Sequence, residues 1–290
     1  MKKIYLLFAT TLLLLLSSCS VNDDYTNIPP PINEPDYSYI LQNFDLWEVD
    51  HSLTTGPSNS SVPFIDRAIT LSFFDRILYA NNNFSGFGIT GNGFGIPVAS
   101  YVLGYNTISI NHDVYGRFTL ELIFLGQNKI LLYDRNQGVT YTLFGYNKSN
   151  YDYDYVFFNN IEFFLQEFNA WRKISTTGGS ANLFDDENFL GFDTSGSVFH
   201  SSIDNVNTPI DFLQWNFSGI YSISNTVNPK RKVLSLDYGN SIERFELIHV
   251  NDNTIDLYHY ASSTTYTFQG QGYIQFLRPQ LKTLSRKSGN

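Results

Sequence analysis

Leu41-Gln42-Asn43-Phe44-Asp45-Leu46-Trp47 returns later in the chain as Leu165-Gln166-Glu167-Phe168-Asn169-Ala170-Trp171, with Leu, Gln, Phe and Trp at the same spacing. A second match follows, in which Glu121–Gly145 aligns without a gap with Glu246–Gly270. The two offsets, 124 and 125 residues, agree to within one residue. Internal repeats of this kind indicate a duplicated module. The chain is therefore predicted to contain two copies of one domain-sized unit.

Each copy is predicted to begin with a short helix. Apolar residues recur at helical spacing across Asn159–Arg172 in the second copy and over a shorter stretch in the first. The two stripes consist of Ile161, Phe164, Leu165, Phe168 and Trp171, and of Ile40, Leu41, Phe44 and Trp47. Such stripes are typical of core packing, so both tryptophans are expected to plug one end of a barrel or sandwich. The Thr-Thr-Gly that follows each tryptophan, at 54–56 and 176–178, predicts a loop leading into the sheet.

Alternating apolar residues predict antiparallel strands after each helix. Those at the end of each copy are the clearest, at 118–124, 130–134 and 139–144, and at 245–250, 255–260 and 264–268. Earlier candidates are Ala68–Phe73, Ile77–Ala80 and Thr107–Ile110, and in the second copy Leu190–Asp193, Ser197–His200, Gly219–Ile223 and Val233–Asp237. Each copy is thus expected to hold about six to eight short strands.

The strand register can also be predicted. If Asp252-Asn253 form a two-residue turn, Val250 faces Ile255, and the matching pair in the first copy is Leu125 with Ile130. Because all four residues are apolar, their face of the sheet is predicted to be the core.

This layout resembles the lipocalin-like, calycin-type β-barrels of Bacteroidota lipoproteins. The expected fold class is all-β, with two tandem lipocalin-like antiparallel β-barrel or sandwich repeats, each preceded by a short helix. An open sandwich would give the same pattern, so the choice between closed barrel and sandwich stays open. The repeats are expected at 37–150 and 156–279.

The N-terminus has the pattern of an export signal. Lys2 and Lys3 precede the apolar run Ile4–Leu16, which is short for a transmembrane helix. Leu16-Ser17-Ser18-Cys19 resembles the lipobox of bacterial lipoproteins, which implies that Cys19 becomes the lipidated N-terminal residue. Cys19 is the single cysteine of the chain, so disulfides cannot stabilise the fold. Residues 1–19 are therefore predicted to be a lipoprotein signal peptide.

The segment after Cys19 is predicted to be a disordered tether, residues 20–36, because it is rich in proline and lacks periodicity. The acidic pair Asp23-Asp24 resembles the surface-export signal of Bacteroidota lipoproteins. The resemblance implies a lipid anchor in the outer membrane and display at the cell surface. Residues 280–290 form a basic C-terminal tail.

The amino-acid composition and charge limit the classes of partner that the protein is expected to bind. The formal net charge is −9, and the only clustered basic stretch is the short tail Lys282–Lys287, so nucleic-acid binding is not expected. The chain holds 25 Phe and 20 Tyr, which suits an exported β-protein. The expected partners are the membrane, through the lipid anchor, a small-molecule, lipid or glycan ligand, and an outer-membrane protein.

Motifs for metal or cofactor chemistry are not found. The five histidines have no metal-binding spacing, and they are His51, His112, His200, His249 and His259. In the predicted register His249 lies opposite Asp256, as a cross-strand pair. The glycine-rich passage Gly86–Gly95 lacks the Gly-Lys-Ser/Thr ending of a phosphate-binding loop and is predicted to be a loop between strands. No metal, cofactor or catalytic residue is therefore predicted.

Two groups of carboxylates could in principle carry chemistry. Asp185-Asp186-Glu187 would be the first residues to test in a hydrolase, since paired carboxylates serve glycoside hydrolysis. Asp152 and Asp154 lack the calcium-loop pattern and fall in a stretch predicted to link the two repeats.

Taken whole, the chain resembles a group of lipoproteins from marine flavobacteria, some of which carry the name nicotinic acid mononucleotide adenylyltransferase. That enzyme is a nucleotide-binding α/β protein with a His-x-Gly-His motif and a later Ser-Ser/Thr-x-x-Arg motif. The first motif is absent from this sequence, and Ile174–Ser180 lacks the arginine of the second. The resemblance therefore implies a lipoprotein with lipocalin-like repeats and not this enzyme.

The function expected from the sequence is a non-enzymatic, membrane-anchored lipoprotein that binds a small, lipidic or glycan ligand. Two alternatives remain open. One is a structural accessory subunit of an outer-membrane protein complex, and the other is a hydrolase of unrecognised class.

Overall fold

Sixteen strands form two closed, eight-stranded antiparallel barrels within the described part of the chain, which comprises residues 35–87, 95–194 and 196–274 of a computed structural model. The predicted signal peptide with Cys19, residues 20–34 of the predicted tether and the basic tail 280–290 lie outside the described residues. All elements below belong to the unit that begins at Tyr37. The predicted all-β fold of two tandem lipocalin-like repeats is confirmed, and both repeats are closed barrels.

Barrel 1 contains β1 to β8, which pair in chain order and close through β1 and β8. The strands are Leu46–Thr55 (β1), Thr70–Phe74 (β2), Ile77–Asn81 (β3), Ile96–Leu103 (β4), Thr107–His112 (β5), Gly116–Phe124 (β6), Lys129–Asp134 (β7) and Val139–Tyr146 (β8). All the strands predicted for this copy are present. β1 and β4 were not predicted as strands. The predicted helix of this copy is wrong beyond Gln42, because Trp47 lies in β1, and β4 contains Pro97 and follows directly on the glycine-rich passage.

Barrel 2 repeats this arrangement with β9 to β16 and closes through β9 and β16. The strands are Phe168–Gly178 (β9), Phe189–Phe192 (β10), Val198–Ser202 (β11), Phe217–Asn225 (β12), Arg231–Asp237 (β13), Ile242–Asn251 (β14), Thr254–His259 (β15) and Thr264–Tyr273 (β16). The strands predicted for the second copy are all present.

The helices are shorter than predicted. They are Tyr37–Gln42 (α1), Tyr153–Asn159 (α2) and Ile161–Leu165 (α3). The predicted helix across Asn159–Arg172 is wrong beyond Leu165, because Phe168 already begins β9. Ala170 and Trp171, on opposite faces of β9, are both fully buried, so the two-residue period of a strand is hidden in the sequence.

The tryptophan in the first strand of each barrel donates a hydrogen bond to the helix that precedes the strand. Trp47 Nε1 donates to the carbonyl oxygen of Leu41 at 3.1 Å, and Trp171 Nε1 donates to that of Leu165 at 2.8 Å. Both indoles are fully buried, as expected of core residues. The Thr-Thr-Gly segments were predicted to be loops, but Thr54 and Thr55 are the last residues of β1, and 176–178 are the last residues of β9, because these long strands continue to the exposed end of the barrel.

The predicted register of the last hairpins is wrong by one residue. Leu247 faces Leu257 in barrel 2, because a bulge between His249 and Asn251 absorbs Val250. Since side chains alternate across a strand, the shift moves Val250 to the outer face, where it is 49% exposed. In barrel 1, Leu122 likewise faces Leu132, and Leu125 is 51% exposed.

An eight-stranded barrel is just wide enough for side chains to fill it or for one small ligand to enter. Large buried side chains pack together in both barrels. In barrel 2 they include Phe199, Phe245, Tyr266 and Phe268, and in barrel 1 Ile108, Leu120, Leu132 and Tyr141, all with no exposed surface.

The connection between β3 and β4 belongs to barrel 1 but packs against barrel 2. Phe84 and Phe87 belong to the apolar cluster of barrel 2, where Phe84 stacks on Phe163 with 6.2 Å between ring centroids. Ser85 Oγ donates to the carbonyl oxygen of Asp252 at 2.8 Å. The centre of the glycine-rich passage, residues 88–94, lies outside the described residues.

Candidate functional site

A cavity of about 730 Å³ opens at the end of barrel 2 that lies away from α3, which we call the barrel 2 mouth. Three connections line it, namely residues 179–188 between β9 and β10, 203–216 between β11 and β12, and 238–241 between β13 and β14. Its volume falls within the range of small-molecule sites in proteins.

Apolar side chains surround the opening. Leu183 is 89% exposed, and Ile203 and Phe217 are about half exposed. Phe184 lies buried beneath them and packs against Phe245 and Tyr266. Apolar surface with a few polar groups is the usual lining of a ligand site.

Three carboxylates line the same cavity, on Asp186, Glu187 and Glu243. No lysine or arginine is present among the described residues that line it. The remaining polar groups come from amides, hydroxyls and one phenol, on Asn188, Asn216, Asn240, Ser218, Ser241 and Tyr238. The cavity is therefore acidic as well as apolar.

Glu187 is the most buried of the three acids, with 6% of its surface exposed. Its Oε2 accepts a hydrogen bond from the Tyr238 hydroxyl at 2.6 Å. Burial raises the pKa of Glu187 above its ordinary value, and the hydrogen bond from Tyr238 acts in the opposite direction. A buried carboxylate at the floor of an open cavity is a candidate ligand contact.

Glu243 is held by a histidine. His259 Nε2 lies 2.7 Å from Glu243 Oε2, and His259 Nδ1 lies 2.8 Å from Ser262 Oγ. Because an ionised carboxylate only accepts hydrogen bonds, Nε2 carries the proton in this pair. The bond fixes the Glu243 side chain at the edge of the cavity.

Asp185 has a different role from its two neighbours. Its Oδ1 accepts a hydrogen bond from the Tyr266 hydroxyl at 2.6 Å, which is the main reason that the pKa of Asp185 is lowered. Barrel 1 repeats this bond, with Tyr141 donating to Asp66 Oδ1 at 2.5 Å. Since both copies contain it, the Asp–Tyr bond holds the loop between the first two strands to each barrel. The Asp185-Asp186-Glu187 triplet is thus divided between a structural residue and two cavity residues.

The residues at the barrel 2 mouth can be compared with those at the corresponding end of barrel 1, the barrel 1 mouth. The loop residues Ile69 and Asn188 correspond, because their carbonyl oxygens accept from Val49 N (3.0 Å) and Lys173 N (2.8 Å). One position earlier, Ala68 therefore corresponds to Glu187.

The same comparison identifies two further changes. Val49 in barrel 1 corresponds to Lys173. Phe118 corresponds to Glu243 when the gap-free alignment is continued three residues toward the N-terminus. Apolar residues of barrel 1 have become charged residues around the mouth of barrel 2.

The mouth of barrel 1 is filled by its own loop. Residues 56–69 form a longer connection than 179–188. Val62, Phe64 and Ile65 of this loop are buried, and Phe64 contacts Phe118 at 5.3 Å between ring centroids. The open cavity thus distinguishes barrel 2 from its duplicate.

The other candidate residues lie apart from this cavity. The predicted pair of His249 with Asp256 is wrong, because the one-residue shift places His249 opposite Ile255. His249 instead contacts the ring of Phe157, with 4.5 Å between centroids. Asp256 accepts a hydrogen bond from Thr267 Oγ1 at 2.7 Å.

The second carboxylate group is also accounted for by local contacts. Asp152 caps the N-terminus of α2 by accepting from Tyr155 N at 2.9 Å, and Asp154 pairs with Lys230 Nζ at 2.5 Å. In the described part of the chain, no three His, Cys, Asp or Glu side chains are grouped as metal ligands.

Neither Glu243 nor Tyr238 was predicted from the sequence to be a site residue. Glu243 meets His259 across a strand pair, and no local motif marks either residue. Its replacement of Phe118 was visible in the repeat alignment, so a comparison of the two copies for apolar-to-charged changes would have found it.

No protein-family model matches this chain, and no curated protein matches it in sequence. Across residues 35–87, 95–194 and 196–274, none of the helices has the length and apolar character needed to cross a bilayer.

Proposed function

We propose that the protein is a lipid-anchored envelope lipoprotein that binds a small ligand in the barrel 2 mouth. The observation that carries the proposal is the 730 Å³ cavity, which is open in barrel 2 while the loop of barrel 1 fills the corresponding space. Exposed apolar side chains and fixed polar groups meet there, as they do in ligand sites.

The packing of the barrel interiors favours binding at the mouth over binding inside a barrel. Trp171, Tyr266 and Phe268 have no exposed surface and pack in one cluster. A lipid inside barrel 2 would have to displace such side chains. Removing the packing of one large aromatic side chain from a core costs about 3–5 kcal/mol.

The contacts of the carboxylates favour binding over hydrolysis. Asp185 is engaged by Tyr266, Glu187 by Tyr238 and Glu243 by His259. Each acid is thus held by a hydrogen bond of the kind found in structural pairs. The bond of Asp185 also recurs in barrel 1, where Tyr141 donates to Asp66.

Anchoring to the envelope rests on the sequence before the barrels. Lys2, Lys3, the apolar run and Leu16–Cys19 together form the lipoprotein signal described above. Expression of the full chain with Cys19→Ala is expected to abolish incorporation of an alkyne-labelled fatty acid and to release the protein from the membrane fraction. Equal labelling of both proteins would contradict the anchor.

Binding is tested with the full-length protein in detergent. A thermal-shift screen against neutral oligosaccharides, amines, sterols and fatty acids is expected to find a compound that raises Tm. A ligand at a hundred times its Kd adds about 2.7 kcal/mol to the free energy of unfolding.

The site is then tested by substitution. Phe217→Ala removes an apolar side chain of the lining and is expected to reduce the shift, whereas Ile220→Ala, on the same strand but outside the cavity, is the matched control. Equal effects of the two variants would place the ligand elsewhere.

A further inference from the structure

The charged side chains that line the barrel 2 mouth are all acidic. Asp186, Glu187 and Glu243 line it, and Lys173, whose charge interacts with Asp186 and Glu187, lies beneath the loop. Lys173 Nζ donates to the carbonyl oxygen of Asp185 at 2.5 Å and lies 5.6 Å from the centroid of the Tyr266 ring. Lys173 is 8% exposed and does not line the cavity. A bound molecule therefore meets the carboxylates without a competing protein cation in the described lining.

The hydrogen-bonding capacity that remains at the site is mainly that of acceptors. An ionised carboxylate can accept about four hydrogen bonds. Glu187 receives one from Tyr238, and Glu243 receives one from His259. A ligand that presents several donors from one positively charged group matches this arrangement, because charge-assisted bonds are the stronger kind.

The apolar part of the lining sets a second requirement. Phe217 and Tyr238 pack edge to face at the opening, with 6.2 Å between ring centroids, and Leu183 is exposed beside the cavity. Aromatic faces attract cations within about 6 Å, and they also bury an apolar body.

The internal duplicate shows that the barrel does not need these charges. Barrel 1 has Ala68 in place of Glu187, and Phe118 in place of Glu243. Burying a carboxylate is costly unless partners compensate it. Barrel 2 also has a lysine, Lys173, that barrel 1 lacks, and its charge favours the ionised form of Glu187. One lysine cannot offset three acids, so the mouth keeps an excess of negative charge that a cationic ligand would offset.

We infer that the ligand of the barrel 2 mouth carries a protonated amine beside an apolar or aromatic body. The inference rests on the binding function proposed above and adds the chemical class of the ligand. The ammonium group lies between the carboxylates of Glu187 and Glu243, and the apolar body packs on Phe217 and Leu183. An anion is repelled by the same lining.

The test compares three probes of one shape with the full-length protein at pH 7. They are 2-phenylethylamine, which is cationic, 2-phenylethanol, which is neutral, and 3-phenylpropionate, which is anionic. Saturable binding of the amine is expected by titration calorimetry or ligand-observed NMR, and it is expected to weaken as the salt concentration rises. The alcohol is expected to bind at least about tenfold more weakly, since one charge-assisted contact contributes that much.

Substitution then assigns the contact. The double variant Glu187→Gln and Glu243→Gln keeps the side-chain shapes and is expected to weaken amine binding by about tenfold or more. Glu246→Gln is the matched control, because Glu246 lies on the same strand as Glu243 but pairs with Arg231 outside the cavity. Amine binding that is equally strong in the double variant and in the control overturns the inference.

The outcomes separate this inference from the proposed function. An alcohol or a neutral oligosaccharide that binds as well as the amine and depends on Phe217 overturns the amine and leaves the binding site standing. Absence of any Phe217-dependent binding across the whole screen overturns both. If the double variant does not fold, the comparison of the three probes on the unmodified protein still decides the ligand's charge.

Discussion

Glu167, at the start of barrel 2, accepts a hydrogen bond at Oε2 from the backbone N–H of Ser85 in barrel 1, at 2.7 Å. Its other carboxylate oxygen accepts from the N–H of Phe84. The side chain is buried, and burial raises the pKa of Glu167 to about 8, against the lowering effect of the two N–H donors. The titration of Glu167 thus links the junction of the two barrels to pH.

The first prediction concerns the pH dependence of stability. The pKa of Glu167 in the folded protein, about 8, lies above the ordinary glutamate value of 4.5. Folding therefore favours the protonated acid, and its contribution is complete below pH 4.5 and is lost as the pH rises through 8. The free energy of unfolding should fall as the pH rises from 4.5 to about 8 and level off above that, as measured by urea denaturation.

Glu167→Gln provides the comparison. At about pH 6 the protonated acid keeps acceptor capacity on both oxygens, whereas the amide nitrogen only donates and opposes one of the N–H groups. The variant should therefore be less stable than the original by about 1–3 kcal/mol. The fall toward alkaline pH should be smaller in the variant, because Gln does not titrate. Identical pH profiles for the two proteins would contradict a titration of Glu167.

The second prediction concerns the paired tryptophans. Trp47→Phe and Trp171→Phe each remove the indole donor to a helix-end carbonyl oxygen and leave a gap in a fully buried site. Each should lower the free energy of unfolding by about 1–3 kcal/mol. Trp215→Phe is the control, since Trp215 is partly exposed on barrel 2. Chemical denaturation followed by circular dichroism measures all three, and an equal loss in the control would count against the indole bonds.

The third prediction separates Asp185 from Asp186. Asp185→Ala removes the acceptor of the Tyr266 hydroxyl, and Asp66→Ala removes the matching acceptor of Tyr141. Both variants should lose about 1–3 kcal/mol of stability, because each leaves a mostly buried hydroxyl without its partner. Asp186→Ala, at an exposed position, should stay within about 0.5 kcal/mol of the original protein. A similar loss in Asp186→Ala would show that the loop depends on both acids.

The fourth prediction exchanges residues between the two mouths. Ala68→Glu places a carboxylate in the filled mouth of barrel 1, next to buried Phe64 and Ile65, and should cost at least about 3 kcal/mol. Glu187→Ala removes the corresponding acid of barrel 2 beside an open cavity and should cost clearly less. Thermal and urea denaturation of the two variants measure the difference. A larger loss from Glu187→Ala would indicate that Glu187 serves mainly to compensate Lys173.

The sequence predicted the duplication because the residues that recur are those that both copies need. Phe44 and Gly145 illustrate this, since a Cβ on Gly145 would lie 2.5 Å from the ring of Phe44. Gly270 and Phe168 repeat the close approach, also at 2.5 Å. Only glycine leaves room for the ring, so both members of the pair are retained in each copy.

The strand register could not be predicted from the sequence. Leu122 and Ile123 are both apolar, so composition does not tell which of them faces the core. The decision comes from the bulge at Val250 in one copy and from the turn at Gly126 and Gln127, both with positive φ, in the other. A single inserted residue reverses the faces, and apolar character on both sides conceals the reversal.

The cavity could be predicted only in part. Asp186 and Glu187 stood out as a dense acidic stretch, but the residues that complete the site come from β12, β14 and the loops at 203–216 and 238–241, and they meet only in the folded barrel. The cavity also depends on the loop after β9, which is shorter than the loop after β1. In this loop Leu183 is 89% exposed, whereas Phe64 at the corresponding position of barrel 1 is buried.

The junction of the barrels has a consequence for how the protein folds. Leu46, Phe84 and Phe87 come from the first repeat, yet they pack in the same apolar cluster as Phe164 and Phe245 of the second. Removal of the first repeat would expose that cluster to water. We therefore expect the boundary between the duplicated sequences not to separate cooperative units, so that a chain cut between the two repeats would lose stability in barrel 2.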